Sequence, residues 1–149
     1  MQGEEIVISE FSHSGISFQY PSNWRVESDL TSDNEWTVSV YSPSTAFLLF
    51  SLRSDARDPA EVADQTLDAL RTEYKELDAE NRVETIAGQA AIGHDIDFLT
   101  VDTAIICRTR CLETASGPLL IMAQLSEYDR SQNDPVLRAI VASLRVESE

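Results

Sequence analysis

Two short runs of the chain are apolar at nearly every position, and they constrain the fold more than any other feature. They are residues 46–52 and 119–125. Each has the length of a β-strand, and a strand that is apolar on both faces has to be covered on both faces. Neither run approaches the roughly 18 apolar residues of a membrane-spanning helix. The sequence therefore predicts a sheet whose central strands lie between two further layers.

The remaining strand signals are weaker and alternate between apolar and polar residues, as half-buried strands do. A turn at Pro21-Ser22-Asn23 separates two of them. No internal repeat, low-complexity tract or Pro/Gly-rich linker interrupts the pattern, so residues 1–149 are predicted to form a single domain. The predicted half-buried strands cover residues 6–8, 15–20, 24–26, 36–41, 84–86, 90–99 and 104–113.

Two helices are predicted, over about 59–77 and 135–144. Asp58 fits the N-cap of the first helix, Pro59 its first position and Glu61 a capping box. In the second helix, Asp134 and Pro135 mark the predicted start. The apolar stripe of the first helix would comprise Ala63, Leu67, Leu70, Tyr74 and Leu77. The fold class predicted is α+β, an α-β-α sandwich with a central, mainly antiparallel sheet and a helix on each side.

The charge of the chain restricts its partners. It has 26 acidic and 11 basic side chains and a formal net charge of −15, which disfavours nucleic acid and anionic lipid. Met1 to Glu5 carry acid where a signal peptide carries base, so we expect a cytoplasmic protein, or a periplasmic one if a leader has been removed. Two cysteines do not make a disulfide scaffold.

Strands 90–99 and 104–113 are predicted to form a hairpin with a two-residue turn at Asp102-Thr103. This register sets Asp97 opposite Arg108 and Asp95 opposite Arg110. Opposite charges directly across antiparallel strands stabilise a hairpin by about 0.2–1 kcal/mol per pair. The arginines would also neutralise the Asp-x-Asp pair, which could otherwise bind a divalent cation.

The same register places His94 beside Cys111, with Cys107 further along that face. These residues are the candidates for chemistry, as a thiolate activated by imidazole or as three soft ligands for a metal. Burial of two small apolar thiols in the core is the alternative, and it is favoured because cysteine is among the most buried residue types. His13, in Ser12-His13-Ser14-Gly15, is predicted to be a loop residue. We expect no cofactor, since no phosphate-binding glycine loop is present.

The segment Gly15-Ile16-Ser17-Phe18-Gln19-Tyr20-Pro21-Ser22-Asn23-Trp24 resembles the opening of the PsbP-like family. That family includes the extrinsic photosystem II subunit, a Ran-binding nuclear import factor and many small bacterial proteins. Later features of the chain are also similar to the family. They are the order of the strands, a helix near Pro59, a turn at Ile86-Ala87-Gly88 and a final helix with Ile140-Val141-Ala142-Ser143-Leu144. The resemblance implies an α-β-α sandwich that binds proteins, and it transfers no functional residues.

The leading hypothesis is a non-enzymatic module, expected to be bacterial, whose acidic surface engages a basic protein partner. A thiol- or metal-dependent enzyme that uses His94, Cys107 and Cys111 is the second hypothesis. A third is a binder of a small apolar ligand held between sheet and helix.

Overall fold

The computed structural model describes residues 7–30 and 35–147. Met1 to Glu5, on which the expected compartment depends, lie outside the described residues. Within this part of the chain, ten strands and two α-helices form two antiparallel sheets with a helix against each face of the larger one.

The strands are β1 (Ile8–His13), β2 (Ile16–Pro21), β3 (Arg25–Asp29), β4 (Glu35–Tyr41), β5 (Phe47–Arg53), β6 (Leu77–Ile86), β7 (Gln89–Leu99), β8 (Ala104–Thr114), β9 (Gly117–Ser126) and β10 (Arg145–Val146). The larger sheet has seven strands in the order β3-β4-β5-β9-β8-β7-β6, and the smaller has the order β1-β2-β10. The two apolar runs of the sequence become β5 and β9, which pair with each other near the middle of the larger sheet, as their apolar character predicted.

Helix α1 (Pro59–Glu73) begins where the sequence predicted. Asp58 is the N-cap, and its carboxylate accepts a hydrogen bond of 2.9 Å from the backbone N–H of Glu61. The helix ends four residues before the predicted limit, because Tyr74 is already extended. The Tyr74 ring stacks on Phe98, and Leu77 pairs with Phe98 as the first residue of β6. The apolar spacing thus predicted that Tyr74 and Leu77 pack against the core, where both are partly buried, but not their backbone conformation.

Helix α2 (Arg130–Ala142) begins five residues earlier than predicted, after a 3-10 turn at Glu127–Asp129. Pro135 lies inside the helix and not at its start. It lacks the N–H that would bond one turn back, but the rest of the helix continues through it. Asp134, predicted to mark the start of the helix, instead accepts a hydrogen bond from Arg108 and forms ion pairs with two arginines of α2.

The core is divided between the two faces of the larger sheet. Helix α1 packs on β7, β8 and β9 on one face, and the smaller sheet and α2 cover the other face. The turn after Pro21 is closed by a 3.0 Å hydrogen bond from the Trp24 N–H to the Pro21 carbonyl, and Trp24 is buried in the core. The α+β sandwich predicted from the sequence is therefore confirmed.

The β7–β8 hairpin has a register two residues away from the predicted one. Asp95 lies opposite Arg108 and Asp97 opposite Ile106. The reason is that the turn is centred on Val101-Asp102, one residue earlier than predicted. The Thr100 N–H donates to the Thr103 carbonyl at 2.9 Å, and the Thr100 side chain adds two further hydrogen bonds. A shift of two residues leaves every side chain on its predicted face.

Candidate functional site

The structure does not place His94 directly beside Cys111 as predicted. All three candidate residues, His94, Cys107 and Cys111, are on the face of the sheet that α1 covers, but His94 lies opposite Thr109, and Cys111 lies opposite Ile92. The predicted position of His94 opposite Cys111 is therefore wrong, because the turn is centred one residue earlier than predicted. Within residues 7–30 and 35–147, no three His, Cys, Asp or Glu side chains could hold a metal ion together.

Both cysteines are free and buried in apolar surroundings. Cys107 packs with Leu67 and Phe98, and Cys111 packs with Val62 and Leu120. Burial raises the pKa of each thiol to about 12, and this effect outweighs the opposing influence of nearby arginines. At neutral pH the thiols are therefore protonated and poor nucleophiles.

His13 is the last residue of β1 and not a loop residue as predicted. Its ring meets Trp36 edge-on, with the centroids 5.3 Å apart. The short strand extends as far as His13 because every residue from Ile8 to His13 pairs with β2.

An ion network joins β6, β7 and β8 on the opposite face of the sheet. Arg110 donates to Asp95 at 2.8 Å and to Glu84 at 2.6 Å, and Arg82 donates to Asp95 at 2.8 Å. Arg110 reaches Asp95 diagonally, past Gly93, which lies directly opposite it. A Cβ at Gly93 would collide with the backbone carbonyl of Thr109, so only glycine fits this close approach.

The predicted pairing of Asp97 with Arg108 is absent. Arg108 instead donates to Asp134 of α2 at 2.7 Å. Asp97 lies directly opposite Asp78 of β6, and both side chains are exposed. In the described part of the chain neither carboxylate has an ion-pair partner. Asp97 is thus not neutralised by an arginine, contrary to the sequence-based expectation.

The paired aspartates lie in a groove of about 360 Å³ at the end of the sheet. Glu76 adds a third carboxylate, while Leu99 and Ala104 are among the apolar residues that line the groove. Leu99 is 75% exposed, and Val101 in the adjoining loop is fully exposed. We call the surface formed by Glu76, Asp78, Asp97, Leu99, Val101 and Asp102 the acidic tip.

The relationship of this chain to known proteins is visible in structure but not in sequence. No protein-family profile matches it, and neither does any curated protein. The solution structure of cyanobacterial PsbP (CyanoP) from Synechocystis sp. PCC 6803 is similar, with a TM-score of 0.55 and 14% identity, over 97% of this chain and 95% of that one. The chain has the PsbP-like fold.

Two further structures are similar over nearly their full lengths. PA94 from Pseudomonas aeruginosa, a protein of unknown function described as a putative regulator, gives a TM-score of 0.58 at 13% identity over 95% of this chain and 99% of that one. LpqN of Mycobacterium tuberculosis, described as involved in cell envelope biogenesis, gives a TM-score of 0.52 at 14% identity. The match covers 93% of this chain and 91% of that one. At such identities the similarity supports the PsbP-like fold alone.

The acidic tip of this PsbP-like fold was not predicted from the sequence. The sequence pattern predicted that the first helix ends at Leu77 and that Asp97 pairs with an arginine. It therefore gave no reason to expect Asp78 and Asp97 to lie opposite each other. The available signal was the loop composition, because Leu99 and Val101 continue the alternation of β7 into a turn.

Among the described residues, no helix is long and apolar enough to cross a bilayer.

Proposed function

We propose that this chain is a non-enzymatic module that binds a protein partner through its acidic tip. The proposal depends on one observation: Asp78 and Asp97 lie directly opposite each other in adjacent strands, without a basic partner among the described residues, beside exposed Leu99 and Val101. Like charges directly across a strand pair are destabilising. A partner segment with basic and apolar side chains would relieve the repulsion and cover the apolar surface.

The partner's chemistry follows from the charge of the tip. Glu76, Asp78, Asp97 and Asp102 are all exposed, and each would favour a lysine or arginine on the partner. Exposed charges of this kind accelerate association and make it sensitive to salt. The apolar contacts of Leu99 and Val101 would supply affinity that salt does not screen.

A non-catalytic role is also supported by the state of the cysteines. The second hypothesis, a thiol- or metal-dependent enzyme, needs His94 to activate Cys107 or Cys111. His94 does not lie opposite either cysteine, and burial holds both thiols in the protonated form. We therefore propose that these three residues serve packing.

The test is quantitative capture of partners by the tagged protein from native lysate at low salt. The variant carries Asp78→Asn, Asp97→Asn and Val101→Ser, and the matched control carries Glu10→Gln, Glu113→Gln and Val83→Ser, at exposed positions away from the tip. We expect one set of proteins to be captured by the wild type and the control, to be lost with the tip variant and to be released by salt. Removing the repulsion between Asp78 and Asp97 should not unfold the sheet, so a loss of capture reports on the surface.

Equal capture by the tip variant and the wild type would contradict the proposal, and so would capture that salt does not weaken. We also propose a cytoplasmic location for the interaction. Recovery of the native protein in a periplasmic fraction would overturn the cytoplasmic location. The acidic tip would then be tested for binding to envelope proteins.

A further inference from the structure

A second concave site lies on the same face of the larger sheet as α2, distinct from the acidic tip. It is a cleft of about 320 Å³ between α2 and the strands beneath it. Ile121 and Ala123 of β9 form part of its floor, and Leu137 and Val141 of α2 form part of its wall. This volume is at the lower end of the roughly 300–1,000 Å³ found for small-molecule sites.

The cleft gathers arginine side chains in a chain that is otherwise acidic. Three arginines line it, Arg108, Arg110 and Arg138, against one acidic residue, Glu84. Two further carboxylates contact these arginines from outside the lining, so three negative charges balance the three positive ones. An anionic ligand would therefore be bound by the guanidinium donors that these carboxylates leave free, and not by an excess of positive charge.

Arg110 is fully engaged within the protein and serves to fix the floor of the cleft. Its Nε donates to Glu84, its Nη1 donates to the carbonyl oxygens of His94 and Thr109, and its Nη2 donates to Asp95. No donor nitrogen is left without a partner, so Arg110 contributes charge and rigidity to the site.

Arg108 is only partly engaged. Its side chain is 13% exposed, and only Nη2 has a partner in the described part of the chain, Asp134 Oδ1 at 2.7 Å. Nε and Nη1 remain as donors at the cleft. Arg138, whose Nε lies 3.3 Å from Asp134, adds a second guanidinium at the outer wall. A guanidinium matches the planar geometry of a carboxylate and binds it through two parallel hydrogen bonds.

We propose that this cleft binds a small carboxylate that carries a short hydrocarbon chain. The carboxylate accepts hydrogen bonds from the free donors of Arg108 and lies near Arg138. The hydrocarbon chain packs on the apolar floor and the α2 wall, where its removal from water favours binding. A dianionic phosphate fits less well, because Glu84 lines the cleft and Asp134 adjoins it.

The experiment is an NMR titration of the isotope-labelled full chain with sodium octanoate as the probe. Octanol, octylamine and inorganic phosphate test the charge and the hydrocarbon chain separately. We expect saturable shifts at the amides of Ile121, Ala123, Leu137 and Val141, with a Kd below about 1 mM. Octanol, octylamine and phosphate are each expected to bind at least tenfold more weakly there.

Two arginines of α2 provide a matched pair of variants. Arg138 and Arg130 are both exposed and both contact Asp134, but only Arg138 lines the cleft. Arg138→Gln should weaken octanoate binding about two- to fivefold, and Arg130→Gln should leave it unchanged. Arg108→Gln should weaken it at least tenfold, because it removes charge-assisted hydrogen bonds in a mostly buried setting.

Several results would overturn the assignment. They are the absence of saturable shifts at the cleft, equal binding of octanol or phosphate, and equal losses in the Arg138→Gln and Arg130→Gln variants. The Arg138 comparison holds even if the Arg108 variant fails to fold, since Arg138 is exposed. Loss of partner capture by the acidic tip would not affect these outcomes, because the two sites share no residue.

Discussion

At the scale of single residues, the decisive property of the two cysteines is their environment. Cys107 and Cys111 are on a strand in the core, and burial raises the pKa of each to about 12. A thiol in an unfolded chain has a pKa near 8.5. The same residue type that suggested nucleophilic chemistry in the sequence is therefore a packed apolar group in the fold.

We predict that both thiols resist labelling by an aromatic disulfide reagent at pH 8 in the native protein and react at once in guanidinium. At that pH a thiol of pKa about 12 is thiolate in only about one molecule in ten thousand. The folded state also retains thiol protons that the unfolded state loses, so the free energy of unfolding should fall as the pH rises above about 8.5. Fast labelling of either thiol in the native protein near pH 7 would contradict this assignment and revive the enzyme hypothesis.

At the scale of secondary-structure elements, the network around Asp95 joins β6 to β7 and β8. Its Oδ1 accepts from Arg110 and its Oδ2 from Arg82. Burial alone would raise the pKa of Asp95, but the hydrogen bonds and charges of the two arginines lower it overall. The ionised form is thus favoured in the folded state.

We predict that Asp95→Asn lowers the free energy of unfolding at pH 7 by about 1 kcal/mol. Because the folded pKa of Asp95 is lowered, its contribution is fully present above the unfolded value near 3.9 and is lost as the pH falls through the folded value. The difference between wild type and variant in urea denaturation should therefore disappear in acid. Asp97→Asn is the matched control on the same strand, and it should have no effect or stabilise slightly. A constant difference from pH 7 down to pH 2 would show that Asp95 acts through packing and not through charge.

The sequence predicted an element well where the residues that determine it lie close together along the chain, and poorly where they lie far apart. The start of α1 was predictable because Asp58, Pro59 and Glu61 act within one turn. The hairpin register was not, because it depends on where the hydrogen bonds between Thr100 and Thr103 place the turn. The partner of Arg108 could not be read from strand pairing at all, since Asp134 is 26 residues away on a helix. The binding surfaces proposed here both depend on such non-local contacts.

At the scale of the whole molecule, the net charge of −15 is distributed unevenly. Among the residues that the structure describes, seven arginines form ion pairs, so most of the positive charge is already matched. The surplus is carboxylate on exposed surface, including the acidic tip, while the arginines of the α2 cleft are balanced by neighbouring carboxylates. One fold thus presents an unbalanced acidic surface and a cleft whose charges are balanced.

We predict that moderate salt stabilises the protein, because self-repulsion of the surplus carboxylates outweighs the contribution of its exposed ion pairs. An exposed pair contributes about 0–1 kcal/mol, whereas the net charge of −15 repels itself over the whole surface. Raising NaCl from about 0.01 M to 0.15 M shortens the Debye length from about 30 Å to about 8 Å. Thermal unfolding followed by circular dichroism should give a Tm higher by about 2–5 °C, with most of the gain complete by 0.15 M. A parallel series of thermal unfolding measurements with sucrose in place of NaCl controls for general solvent effects. A fall in Tm over the same range would mean that the ion pairs of Arg108, Arg110 and Asp95 dominate the electrostatics of the folded state.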